Sequence, residues 1–75
     1  MKDAPVEEIL RKNLKKARRE CNLTQKEAAE KAGISRPVLS AYETGRIVPP
    51  RINLERLADV YNTTVIKLLE QESIV

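Results

Sequence analysis

Seventy-five residues carry 14 Lys and Arg against 11 Asp and Glu, a net charge of +3, with one Cys, two Tyr and neither His, Trp nor Phe. A chain of that length builds one core and has little room to enclose a substrate cavity, and its 41% apolar and 33% charged residues suit a soluble globule over residues 1–75 rather than a disordered chain. No apolar run nears the roughly 18 residues that span a bilayer, the first residues carry no signal-peptide pattern, and a lone Cys without His excludes an internal disulfide and a Cys/His zinc site, so a reduced, cytoplasmic protein without metal or cofactor is expected.

The first predicted helix carries Val6, Leu10, Leu14, Ala17 and Cys21 at steps of three and four, one apolar stripe. Asp3 is its expected N-cap, Pro5 is tolerated in the first turn, and Asn22 is a fair breaker. The stripe makes Cys21 a core residue rather than a redox centre. Thr24 caps a second helix, with Glu27 three positions on completing a capping box. Ala28, Ala29 and Ala32 give it a face of small side chains, and Gly33 ends it.

Ser35 caps a third helix running to about Thr44, with Pro37 in its first turn and Gly45 as its stop. Val38, Leu39 and Tyr42 are its predicted apolar side, which leaves Arg36, Pro37, Ser40, Ala41 and Thr44 facing outward. Residues 46–50 read as a loop, since Pro49 and Pro50 in succession suit neither helix nor central strand. A fourth helix with Leu54, Leu57, Ala58 and Tyr61 inward ends at Asn62, and Thr64 caps a fifth carrying Val65, Leu68 and Leu69. Tyr42 and Tyr61 both fall at inward positions, which argues against base stacking. The expected fold is all-α, a compact bundle of five helices.

Charge is unevenly spread. Residues 1–22 hold seven bases against four acids, residues 23–50 four against three, and residues 51–75 three against four. A basic excess in the first two thirds is what a polyanion-binding face requires, and a solvated helix surface gives the same arithmetic. The second and third helices are joined by little more than Gly33 and Ile34, a helix-turn-helix arrangement over about residues 24–45.

Two runs carry a specific resemblance. The stretch from Leu23 through Gln25, Glu27, Ala28, Ala29 and Gly33 to Ser35, and the stretch from Leu39 through Tyr42, Glu43 and Gly45 to Arg46, resemble the phage-repressor and Cro-like helix-turn-helix family (XRE-type, lambda-repressor-like). Pro49, Leu54, Leu57 and Ala58 extend the likeness, which covers about residues 10–69.

The resemblance implies a sequence-specific regulator of transcription that binds double-stranded DNA as a homodimer on a palindromic operator. Gln25 would touch a phosphate and brace the third helix. Thr24 and Ser35 would meet phosphates at helix N-termini, or act only as caps. Arg36 would read a base through its guanidinium fork, or grip a phosphate with the same charge. Pro37 offers apolar contact alone, a departure from the polar reader that many relatives carry, and Ser40 is a permissive reader. Thr44 completes the exposed face. Arg46 matches a phosphate-gripping position, and Arg51 one that follows the backbone or the minor groove, unless it is simply solvated. Arg18 and Glu43 match a structural ion pair between the first and third helices.

Dimerisation is expected through about residues 64–75, with Ile66, Leu69, Ile74 and Val75 as its apolar surface. A rival function on the same fold is a protein-interaction module, such as an antitoxin-like protein, which would not need Gln25, Arg36 and Arg46 together. Enzymatic activity is not expected, because no His, no phosphate-binding Gly-rich loop and no credible carboxylate pair is present.

Overall fold

The computed structural model describes residues 4–71, and over these the chain forms five helices: α1 (Val6–Glu20), α2 (Gln25–Ala32), α3 (Arg36–Thr44), α4 (Arg51–Val60) and α5 (Val65–Leu68). The starts follow local hydrogen-bonding rules. Thr24 Oγ1 accepts from Glu27 N (3.1 Å) while the Glu27 carboxylate accepts from Thr24 N (2.8 Å), so the capping box is closed in both directions. Ser35 Oγ accepts from Val38 N and Thr64 Oγ1 from Lys67 N, capping α3 and α5 in the same way.

The ends follow a second rule four times over. Asn22, Gly33, Gly45 and Asn62 all take positive φ, between 55° and 79°. The next residue then turns its N–H back onto a carbonyl five positions earlier: Leu23 to Arg18, Ile34 to Ala29, Arg46 to Ala41 and Thr63 to Ala58. Two Gly and two Asn occupy these left-handed positions because those side chains tolerate them at least cost.

The core is assembled from every helix: Leu10 and Leu14 of α1, Ala28, Ala29 and Ala32 of α2, Leu39 and Tyr42 of α3, Leu54, Leu57 and Ala58 of α4, then Tyr61 and Leu68. Cys21 packs on it, as its place on the stripe required, with Sγ 3.5 Å from the Tyr61 carbonyl. Burying a Leu side chain is worth about 1.5–3 kcal/mol, and Leu14, Leu39 and Leu57 are fully enclosed. α2 packs on α3 and α4, while α1 packs on α3 and α5. The small alanines of α2 let its two neighbours approach closely.

Three expectations need correction. The N-cap position of α1 is Pro5, which has no capping side chain, whereas Asp3 lies outside the described residues. Val6, the first residue of the stripe, is exposed. Ala41 is buried rather than outward, because the chain beyond α3 folds back over it: Arg46 N and Ile47 N both donate to the Ala41 carbonyl. Leu69 is exposed, in keeping with its expected place on the apolar surface of the fifth helix, since α5 is a single turn whose inward face is filled by Val65 and Leu68.

Candidate nucleic-acid interface

Three residues, Gly33, Ile34 and Ser35, separate α2 from α3, and half-buried Ile34 anchors the turn in the core. On the inner face of α3 sits Glu43, a carboxylate with 1% of its surface exposed. Its oxygens accept from Arg18 Nε at 2.7 Å, from Arg18 Nη2 at 3.0 Å and from Gln25 Nε2 at 3.0 Å. The fork of Arg18 thus grips both carboxylate oxygens, and a third Arg18 nitrogen donates to the Leu23 carbonyl at 2.9 Å. Hydrogen bonding to Glu43 is the main reason the Arg18 guanidinium is held above its already high ordinary pKa. The buried Glu43 carboxylate therefore ties α3 to α1 and to the start of α2, and Arg18 in turn ties α1 to the turn before α2.

α3 is also held from the other side, by a contact that sequence reasoning missed. Asn53 Nδ2 of α4 donates to the Tyr42 hydroxyl at 2.8 Å. Nothing local marks Asn53 for this role; it depends on the tertiary approach of α4. Asn13, likewise unforeseen, donates to the carbonyls of Leu68 and Glu70 and clamps the end of α5 to α1.

Held in this way, α3 turns Arg36, Pro37 and Thr44 outward, with Ser40 half-buried between them. The Thr44 hydroxyl donates to carbonyls of its own helix, Ser40 O at 3.0 Å and Ala41 O at 3.3 Å, so only its lone pairs are left for a ligand. The Thr24 and Ser35 oxygens are committed as caps, and each keeps its O–H to donate outward. Gln25 braces α3 as expected, through its contact with Glu43. Its nitrogen end does the bracing, so the second hydrogen on that nitrogen is what a phosphate oxygen would meet, because the carbonyl end cannot donate.

Arg36 and Arg46 are exposed and have no carboxylate partner among the described residues, whereas Arg51 lies 3.2 Å from Glu55 one turn along α4. That pair is widely exposed and weak, so it leaves Arg51 available to a competing anion. Among the described residues no helix is long and apolar enough to cross a membrane.

A short helix ending in glycine, a three-residue turn and a braced helix with an open polar face define a helix-turn-helix unit, and the chain belongs to the helix-turn-helix family, whose model matches residues 14–68. It is 39% identical over 61 residues to the uncharacterized HTH-type transcriptional regulator YqaE of Bacillus subtilis (strain 168), an overlap covering 81% of this chain and 53% of that protein. It is 40% identical over 65 residues to the HTH-type transcriptional regulator ImmR of the same organism, covering 87% of this chain and 51% of ImmR. The chain thus spans about half the length of these curated relatives.

Proposed function

We propose that this chain is the DNA-reading unit of a cytoplasmic transcriptional regulator, a repressor that binds a palindromic operator in double-stranded DNA as a homodimer. The observation that carries the reading is the open face of α3. Arg36, Pro37, Ser40 and Thr44 share it, and Arg36 has no carboxylate partner while the same helix is fixed from behind through buried Glu43. A helix that is rigidly oriented yet leaves Arg36 and Pro37 uncommitted on its outer side suits insertion into a major groove. In the bound state Arg36 reads a base edge, guanine by the geometry of its fork, Pro37 supplies an apolar contact, and Ser40 and Thr44 border the reading face. Gln25, Thr24, Ser35, Arg46 and Arg51 hold phosphates and set the register.

One such helix reads too few base pairs to find a single site in a genome, which is the physical case for two copies. The exposed Ile66 and Leu69 at the α5 end support a contact between copies there; Ile74 and Val75, the other half of that expected surface, lie outside the described residues.

Arg36→Ala and Arg46→Ala separate reading from holding. Loss of Arg36 is expected to cost about 1–3 kcal/mol on the preferred duplex with little change on an unrelated one. Loss of Arg46 is expected to weaken all duplexes alike and to shallow the salt dependence by about one unit per lost contact. Binding isotherms of both variants on both duplexes at two salt concentrations test this. A uniform loss for Arg36→Ala would make it a phosphate clamp, and no duplex binding by the parent chain would favour the protein-interaction function instead.

A further inference from the structure

The helix-turn-helix unit does not use the strongest concentration of charge in the molecule. From Arg11 to Arg19 the chain has six bases and no acid: Arg11, Lys12, Lys15, Lys16, Arg18 and Arg19. Arg18 is consumed by Glu43, and Glu8 lies 3.8 Å from Arg11 and 3.3 Å from Lys12. Lys15 and Arg19 have no carboxylate partner among the described residues. Arg11, Lys15 and Arg19 succeed one another at intervals of four, so they stand side by side on one flank of α1, where like charges repel and destabilise the helix by about 0.2–0.5 kcal/mol per pair. An arrangement that costs stability in the free protein is relieved when a polyanion lies along it.

Position decides which polyanion. This flank borders α3: Arg11, Lys15 and Arg19 line a shallow groove together with Glu43 of α3 and with Glu20 at the end of α1. A Cβ added at Gly45 would lie 2.9 Å from Arg11 Cδ, so the Arg11 side chain crosses directly over the end of α3, beside Arg46. The cations therefore continue from Arg46 over Arg11 and along α1 for about 12 Å, the rise of eight residues.

We propose that Arg11, Lys15 and Arg19 form a second phosphate-binding flank on α1, which extends the DNA footprint beyond the helix-turn-helix unit along the strand that Arg46 contacts. The proposal rests on the DNA-binding reading above. The flank contacts backbone only, so it adds affinity and salt dependence and no base preference.

The test compares the parent chain with Lys15→Gln/Arg19→Gln and with a control that loses the same charge elsewhere, Lys31→Gln/Arg56→Gln, on a preferred and an unrelated duplex. Removing two phosphate contacts is expected to shallow the slope of log affinity against log salt by about 1.8 per bound protomer. The α1 variant should then lose about 12-fold less affinity than the parent per bound protomer between about 50 and 200 mM salt, about 150-fold for a bound dimer, on both duplexes, with base preference kept and hydroxyl-radical protection shortened at the outer edge of the site. The control should keep the parental slope. Parental slope and protection in the α1 variant would overturn the flank and leave the DNA reading intact, as would an equal drop in slope in the control, which would mark a net-charge effect. Failure of the parent to bind either duplex would overturn both.

Discussion

Replacing Arg18 by Met removes a cation and leaves the Glu43 carboxylate buried with Gln25 as its remaining partner at 3.0 Å. Arg18 is itself only 13% exposed, so solvent screens the pair little. Breaking one side of a buried pair costs about 3–5 kcal/mol, because the surviving charge has lost its compensation. A 75-residue domain is stable by only about 4–11 kcal/mol in all, so Arg18→Met is expected to lower the melting temperature by about 12–40 °C or to unfold the chain. Arg18→Met/Glu43→Leu removes both charges, and similar apolar replacements of buried pairs are often neutral or stabilising, so the double variant should recover most of the loss. Circular dichroism melts and urea titrations of the two singles and the double complete the cycle. The recovered protein should still bind its operator poorly, since α3 has lost the tie that fixes it to α1 and α2. Single variants within about 1 kcal/mol of the parent, or additive effects in the double, would refute the assigned role of Glu43.

The Tyr61 hydroxyl is buried without a hydrogen-bond partner among the described residues, so Tyr61→Phe is expected to leave stability unchanged or to raise it by up to about 1 kcal/mol in urea titrations, and a clear loss would reveal a partner. Burial also holds this phenol above its ordinary range. The neutral form is thus favoured in the folded state, and its contribution to stability is present below about pH 10 and lost as pH rises further; alkaline unfolding should be less steep in Tyr61→Phe. Hydrogen bonding from the Thr24 backbone, chiefly, lowers the Glu27 carboxyl below its ordinary pKa. Its contribution is present at neutral pH and lost as pH falls through the lowered value, so Glu27→Gln, which can still close the capping box, should flatten the acid limb of urea midpoint against pH. Thr24→Ala should cost about 1 kcal/mol by the same titration. Ile66→Glu/Leu69→Glu should shift sedimentation of the chain toward monomer with its helical spectrum kept, and an unaltered dimer would move the interface away from α5.

Sequence legibility tracks the range of the interaction concerned. Thr24 with Glu27, Ser35 with Val38 and Thr64 with Lys67 close within three residues, so side-chain identity at one position and spacing to the next are enough to locate α2, α3 and α5. Gly33 and Gly45 end their helices for an equally local reason. The Arg18–Glu43 pair spans 25 residues and was legible only through the family resemblance, because no spacing rule connects two separate helices. Asn53 with Tyr42 and Asn13 with the end of α5 had neither support. Periodicity on a nine-residue helix places Ala41 on the outer face, because it does not report the loop that returns over it. The open side chains of α3 were legible in type and in order, whereas the commitment of the Gln25 nitrogen to Glu43 needed coordinates.

Sequence-specific recognition by α3 is the central claim, and selection from a pool of random duplexes with the full 75-residue chain tests it most directly. The account predicts enrichment of one motif with two-fold symmetry, its half-sites about 10 base pairs apart from centre to centre, and loss of preference at one base pair per half-site when the selection is repeated with Arg36→Ala. A bound pool no richer in any sequence than the starting pool would contradict it.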